Sequence, residues 1–529
     1  MTHASRFLTP ACVIALLVAG APAPAQDMPN PDAGPEAIAK LGQAASVGAM
    51  LDGLKAAAPS RTILFRNVRV VDPVTGRVST PNQVLVRNGS IVAVGRRVAA
   101  PAKAFAIDGR GQYLAPGLVD SHFHTNSPAA PLLNLANGVT SVREMDGFAW
   151  MLHWRAQARN RRMLAPVPYV AGQIINGFDM GGYAVVPKSI DDARAIVRRQ
   201  AACGFEFIKV HNVVPLATFD AIAAEAKAVG LPLVGHVPHD IPVRHAADVG
   251  MRTMEHLKGW LNDRNLELGD RDYQVAADFP ALWVVPTLYS THESLRGKDA
   301  LAVLDSPDGA YIPPAVRAEL RGMVNEAPNR VLIARQAQLP KMITIIRALH
   351  QVGARFLAGT DADGGPYMVA GFALTEELRL MMTAGLSAPE VLRAATSEPA
   401  IAFRHPGEFG QIKPGMRADL VLLPRNPLVD PLVYRDNRGV MANGRWLSRP
   451  AITAALAKVR RLFAAPANPA SRSADRLARD VRRIAASGYV FDAAKLANAA
   501  TALTKAGAVG PAGQLQALAD AENQCPAKS

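Results

Sequence analysis

The sequence predicts an α/β protein, a (β/α)8 TIM barrel carrying a small β-sandwich and a C-terminal helical extension, and three observations carry that expectation. After Pro116, apolar strand-like runs alternate with helical stretches such as 190–202 and 215–229, the texture of repeated βα units. Candidate strand ends fall near Ser121, Arg143, Gly172, Val210, His236, His256, Pro286 and Thr360, a spread over roughly 285 residues that suits such a barrel. On both flanks the texture changes to short strands and turns, which places a separate β element beside the barrel.

The elements follow in order along the chain. Residues 1–25 hold His3 and Arg6, an apolar run over 11–19 and an Ala23-Pro24-Ala25 close, the pattern of a cleaved secretory signal. That run is about half of the ~20 residues a spanning helix needs, and no other segment is long enough. The expectation is a secreted protein without a membrane span, periplasmic if the source is a Gram-negative bacterium. Residues 26–59 form a helical or linker segment. In 60–115, short apolar strands alternate with turns, and Asn88-Gly89 signals a hairpin. The barrel occupies 116–405; within it, 288–348 is long for a βα connection and is expected to form a helical lid. Residues 406–449 return to strands around Lys413-Pro414-Gly415 and Asn443-Gly444, and are expected to pair with 60–115 to complete the β-sandwich. Residues 450–529 read as a basic helical extension with Arg476, Arg479, Arg482 and Arg483, broken around 466–469.

Composition narrows the class. With 49% hydrophobic and 19% charged residues, the 529-residue chain has ample material for a core. Its 58 Lys/Arg against 44 Asp/Glu leave a formal charge of +14, which could attract an anionic partner. Nothing resembles a nucleic-acid motif, so no nucleic-acid partner is expected and the charge reads as solvated surface. Cys12 would leave with the signal. Cys203 and Cys525 are separated by most of the mature chain, and the expectation is a buried thiol at Cys203 and no structural disulfide.

The chemistry begins where an apolar strand, 114–119, runs into Asp120-Ser121-His122-Phe123-His124. Strand alternation turns His122 and His124 to the same side at the strand's C-terminal end, and two converging imidazoles suit a divalent metal. Alone, His-x-His is weak evidence. Four further polar residues end apolar strands at the same mouth: Lys209, His236, His256 and Asp361.

In this order, His-x-His, Lys, His, His, Asp resembles the amidohydrolase superfamily over roughly residues 60–447. Further support comes from Gly138-Val139-Thr140-Ser141-Val142-Arg143, Glu255-His256-Leu257, Ala358-Gly359-Thr360-Asp361 and Pro414-Gly415-Met416-Arg417-Ala418-Asp419-Leu420. Within the superfamily it is most similar to the imidazolonepropionase-related branch, with its Xaa-Pro dipeptidases and secreted amidases. The resemblance implies two divalent ions, most often zinc. His122, His124 and Asp361 would hold one, His236 and His256 the other, with Lys209 bridging as its carbamate, because an ammonium has no lone pair to offer. The alternative is a mononuclear centre with Lys209 in a buried ion pair. The implied reaction is cleavage of a carbon–nitrogen (amide) bond by a metal-bridging hydroxide, with Asp361 as catalytic proton shuttle.

Other polar residues are candidates for substrate binding. Arg143 could grip a substrate carboxylate or pair with Glu144 or Asp146. His211 lies on the Lys209 face, at a position where relatives carry tyrosine, or is a surface imidazole. His239, Tyr289 and His292 could line the pocket; Asp363 fits a capping role. Met180-Gly181-Gly182-Tyr183 stands where dipeptidases of this branch show Gly-Gly-His, which weakens transfer of their activity. The expected substrate is a small-molecule amide, a dipeptide or N-acyl amino acid. The rivals are a cyclic amide or lactone hydrolase, a deaminase, and a non-catalytic metal-binding interaction protein. Relatives in this superfamily often form homo-oligomers, but the sequence fixes no number.

Overall fold

Eight strands from the two flanks join into one sheet. They are β1 (Thr62–Asp72), β2 (Arg77–Arg87), β3 (Ser90–Gly95), β4 (Phe105–Asp108) and β5 (Tyr113–Pro116) from the N-terminal side, with β18 (Leu420–Leu423), β19 (Gly439–Ala442) and β20 (Arg445–Ser448) from the C-terminal side. The order is β20-β19-β18-β5-β1-β2-β3, with β4 on β1. β5 is the stitch: it runs parallel to β1 and antiparallel to β18. The hairpin expected at Asn88-Gly89 is present, both residues taking positive φ (51° and 90°), as are Asn443 and Gly444 (45° and 73°) between β19 and β20. The expected sandwich is thus hydrogen-bonded as a single sheet. Its apolar side chains, among them Ile63, Phe65, Val84, Leu420 and Trp446, still gather into a core of their own, with Phe65 and Trp446 edge to face at 5.4 Å.

The computed structural model describes residues 35–59, 61–262, 267–290, 301–326, 338–362, 368–464 and 473–526. The signal at 1–25 with Cys12, His292, Asp363 and the break at 466–469 lie outside the described residues.

Between the flanks runs a TIM-barrel-type α/β fold. Its strands are β6 (Leu118–Phe123), β7 (Val139–Glu144), β8 (Val167–Val170), β11 (Ile208–Val210), β12 (Leu233–Gly235), β13 (Met251–Glu255), β16 (Trp283–Val285) and β17 (Arg355–Phe356). Two short strands, β9 (Ile174–Ile175) and β10 (Ala184–Val185), extend the sheet beside β11, and β14 (Leu261–Asn262) with β15 (Glu267–Leu268) form a small hairpin. All the barrel ladders are parallel, and β6, β7, β8, β11, β12 and β16 are buried along their whole length, as strands covered on both faces must be. The strands form two groups, one of β6 to β8 and one running from β10 to β17. The groups meet through single bridges, Ala171 with Phe207 and Phe123 with Ala362. Local chemistry sets the surrounding helices: Ser189 caps the helix Ile190–Cys203 by accepting from Asp192 N, and Gly204 ends it at φ 94°.

The extension is helical as expected, over Arg449–Ala464, Ala474–Ala486, Ala493–Lys505 and Val509–Glu522. It packs on the N-terminal helix Pro35–Ala57, where a Cβ on Gly48 would meet Ile484 at 2.7 Å, so glycine permits the close helix crossing. Lys495 Nζ donates to Asn126 O (2.8 Å), two residues past His124. In 288–348 the described residues are helical at Leu301–Asp305, Pro314–Glu326 and Gln338–Gln351, and Tyr311 stacks on Phe372 at 5.5 Å.

The expectation for the cysteines is overturned. Cys203 and Cys525 form a disulfide with Cα atoms 5.1 Å apart, across a sequence separation of 322. The C-terminal helix folds back onto the barrel, where the ring Nε2 of His153 lies 2.9 Å from Gln524 O, and this carries Cys525 to the end of the helix Ile190–Cys203. Remoteness in sequence says nothing of remoteness in space once both ends of the chain pack on the same barrel. Among the described residues no helix is long and apolar enough to cross a membrane.

Candidate metal centre

β6 delivers His122 and His124 to one side, and its seam with the eighth barrel strand delivers Asp361 to them. The amides of Thr360 and Asp361 both donate to His122 O (3.1 and 2.7 Å), and His124 N donates to Ala362 O (2.7 Å). Gly359 makes this approach possible, since a Cβ there would sit 2.8 Å from His122 N. Asp120 locks the seam, accepting from Thr360 Oγ1 (2.6 Å) and Thr360 N (3.0 Å). As a result His122 Nε2 and His124 Nε2 lie 3.4 and 3.1 Å from Asp361 Oδ1. Asp361 and His256 hold left-handed backbone, φ 62° and 59°, an uncommon state for non-glycine residues that clusters at functional sites.

The remaining residues close the ring of donors. The His122 ring is 4.5 Å from that of His256, which is 4.7 Å from that of His236. Three of the four histidines have Nδ1 engaged: His122 with Glu255 Oε2 (2.8 Å), His236 with Asn212 Oδ1 (2.6 Å) and His256 with Thr287 Oγ1 (2.6 Å). An acceptor oxygen on Nδ1 fixes the proton there and leaves the Nε2 lone pair facing the centre. Burial, reinforced by neighbouring Lys209, pushes His122 well below the usual histidine range; burial and the adjoining His211 do the same to His236, and burial to His256. Neutral imidazoles are the form that binds metal. Burial would raise the Asp361 carboxyl, but the surrounding imidazoles hold it low, His124 through a hydrogen bond that in turn shifts its own ring upward; His124, unlike the other three, must give up that proton to take a metal.

Lys209 lies buried on β11. Gly235 leaves room for it, because a Cβ there would sit 2.9 Å from Lys209 Cδ and 2.2 Å from Val210 O. Burial lowers its ammonium to about 8, so a free amine is accessible near neutral pH. Addition of carbon dioxide to such a neutral amine would form an N–C bond, release one proton and leave an anionic oxygen ligand.

Metal chemistry fits these residues. His122 Nε2 is fully buried without a hydrogen-bond partner, an orphaned lone pair aimed where a cation would accept it. His122, His124 and Asp361 offer ligand atoms all within 4.8 Å of one another, a nitrogen and oxygen donor set suited to zinc.

The substrate-binding candidates fare differently. Arg143 is fully buried, and its partners are neither Glu144 nor Asp146: it donates to Glu255 Oε1 (2.8 Å), Thr253 Oγ1 (3.0 Å) and Ser121 O (2.5 Å). It cannot grip a substrate carboxylate, because inward strand alternation puts it inside the barrel, against the inward residues of β13. Glu144 instead accepts from Thr125 N (3.1 Å). His211 is no surface imidazole; its ring lies 4.0 Å from that of His236 at the rim of the centre. Tyr289 belongs to the apolar core, and its amide donates to Glu377 Oε2 (2.7 Å). His239 anchors its loop through its amide to Asn212 O (3.0 Å).

Four supporting residues escaped the sequence: Glu255, Asn212, Thr287, and Ser290, whose Oγ donates to Asp361 Oδ2 (3.2 Å). Only Glu255 had a readable signal, since alternation in Thr253-Met254-Glu255 turns Thr253 and Glu255 to one side.

Comparison with known proteins agrees with this geometry. Residues 208–447 match the Amidohydrolase family. An adenine deaminase of Serratia proteamaculans is 24% identical over 362 residues, 68% of this chain and 53% of the relative, so the chain spans about half of that protein's length. The structure of a bottromycin amidohydrolase is 26% identical, covers 81% of this chain and 95% of that one, and superposes with a TM-score of 0.66. A putative prolidase from Bifidobacterium longum, 23% identical over 76% of this chain and 100% of its own, shares the fold with a TM-score of 0.60. Sequence match, shared fold and donor set together identify the chain as one that carries an amidohydrolase family domain.

Proposed function

We propose that the chain is a metal-dependent hydrolase of carbon–nitrogen bonds, acting on the amide of a dipeptide or N-acyl amino acid. The observation that carries this reading is the orphaned His122 Nε2 converging with His124 Nε2 on Asp361 Oδ1. His122, His124 and Asp361 would hold one divalent ion, His236 and His256 the second, with Lys209 between them as carbamate. Bound there, divalent ions acidify water and polarise a carbonyl. Asp361 accepts the proton of the attacking water and hands it to the departing amine, which must leave neutral. Ser290 Oγ steadies Oδ2 of that carboxylate during the transfer. His211, against His236, would meet the substrate at the rim. The proposal includes export through the signal at 1–25.

A second reading gains from the burial of Arg143, which removes the cation expected to anchor a free carboxylate. A substrate without that anchor, such as a cyclic amide or an amino-substituted heterocycle, fits the same donors, in line with the deaminase among the relatives.

The test is turnover of zinc-loaded full-length protein on Xaa-Pro and other dipeptides, N-acyl amino acids, cyclic amides and adenine, with Asp361→Asn as control and metal content measured in both. Wild type should turn over one class, and loss of the proton acceptor should slow it by about 10²–10⁴-fold. Equal rates in the two proteins at equal metal content would overturn the mechanism.

A further inference from the structure

Among the three ligand histidines whose Nδ1 is engaged, one is held differently from the other two. His236 and His256 present Nδ1 to a neutral amide oxygen and a hydroxyl, Asn212 Oδ1 and Thr287 Oγ1. His122 presents Nδ1 to a carboxylate, Glu255 Oε2, at 2.8 Å. That carboxylate is fully buried, and its other oxygen is occupied twice, by Arg143 Nη2 (2.8 Å) and Thr253 Oγ1 (2.5 Å). Arg143 then reaches back to Ser121 O (2.5 Å), the carbonyl of the residue preceding His122. One ligand is therefore gripped at its ring and at its backbone by a single buried pair spanning β6, β7 and β13.

From this arrangement we infer that Glu255 is the positioning residue of the metal centre, setting the affinity of the ion held by His122, His124 and Asp361 and leaving the ion held by His236 and His256 to weaker, neutral partners. The physics is direct. A carboxylate on Nδ1–H fixes the tautomer, orients the ring and raises the basicity of Nε2, and removing such a partner commonly costs about 10–100-fold in metal affinity. Arg143 and Thr253 supply the remaining acceptor capacity with donors, so Glu255 cannot swing away from His122. The two ions should then differ in retention even though both sit on histidine. This inference rests on the metal-dependent reading above.

The experiment is a two-site zinc titration of the full-length protein against a chromophoric chelator at one pH, with unfolding of the apo-protein followed in parallel. The variants are Glu255→Gln, Thr287→Val and Asn212→Ala. Expected is a loss of about 10–100-fold at one zinc site in Glu255→Gln with the other nearly unchanged, and the opposite selectivity in the other two. Should Glu255→Gln fail to fold with Arg143 left uncompensated, the double variant Glu255→Gln/Arg143→Met removes both charges and should show the same selective loss. Equal weakening of both sites, or wild-type zinc binding in a folded Glu255 variant, would show Glu255 to be a structural ion-pair partner only. A wild-type chain that binds no zinc would sink the metal reading itself and this inference with it, whereas wild type binding two ions with unchanged variants sinks the inference alone.

Discussion

Replacing Cys525 with serine opens the bond that ties the last helix to the barrel. The closed loop is 322 residues, and the chain-entropy relation assigns about 5–6 kcal/mol at 25 °C to a loop of that length. That figure is a ceiling. The C-terminal helix has its own anchorage through buried Ala512, Leu515 and Ala519, so residual order lowers the entropy actually released. The working expectation is a loss of about 2–5 kcal/mol. Urea unfolding of oxidised wild type and Cys525→Ser, each with and without reductant, measures it. Reductant should move wild type to the position of the variant and leave the variant where it was. Thiol alkylation of the denatured, unreduced protein is the independent check: Cys203 and Cys525 should not react. If both react in protein that was never reduced, or if reductant leaves wild-type unfolding unchanged, the pairing is absent and the tail is held by packing alone.

Two further outcomes follow from local geometry. Gly235→Ala places a Cβ 2.2 Å from Val210 O at a φ of 122°, where the backbone cannot yield. About 2–6 kcal/mol of stability should be lost, with bound metal falling as Lys209 is displaced, and wild-type melting and metal content would contradict the packing described. In the polar cluster outside the centre, His405 contacts Glu408 at 2.8 Å and Glu206 at 3.5 Å, while Arg155, Arg159, Arg417 and Tyr169 surround those carboxylates. Burial opposes the imidazolium, but the two glutamates prevail and raise His405 from 6.5 to about 9. Burial would raise Glu408, yet His405 and the arginines lower it from 4.5 to about 2. The histidine contribution is complete below about 6.5 and vanishes as pH climbs through about 9; the glutamate contribution is complete above about 4.5 and vanishes as pH falls through about 2. Unfolding free energy against pH should decline between about 6.5 and 9 in wild type and less so in His405→Gln. An unchanged alkaline slope in that variant would remove His405 from the account.

How much was legible before the structure depends on what each residue needed from elsewhere. His122, His124, Lys209, His236, His256 and Asp361 could be placed at strand ends because each follows a short apolar run, and alternation supplied the facing of His122 and His124. Their convergence follows once parallel strands are gathered in sequence order. Arg143 departs from its expected pairing because its partner, Glu255, is 112 residues away and enters through the barrel interior, while Glu144 and Asp146 are merely near in sequence. The cysteine pair is hidden in the sequence for the same reason. Asn212, Thr287 and Ser290 carry no signal at all, since a loop oxygen that meets an imidazole is defined by the turn that aims it. The flank strands were legible in kind, through Asn88-Gly89 and Asn443-Gly444, but whether they stack as two layers or join edge to edge is a property of pairing across the whole barrel.

That edge-to-edge joining has a consequence for biosynthesis. β5 ends at Pro116, and β18 ends at Leu423, 307 positions later (423 minus 116). At about 5–20 residues per second, the ribosome needs roughly 15–60 s to supply the missing strand. Throughout that interval β5 has β1 on one side and nothing on the side that β18 will take, so a nascent chain displays an apolar strand edge, Leu114 and Ala115 included, while the barrel is still being made. Crowded synthesis should therefore be the moment of greatest danger for this protein, with neighbouring nascent chains competing for the place reserved for residues 420–423.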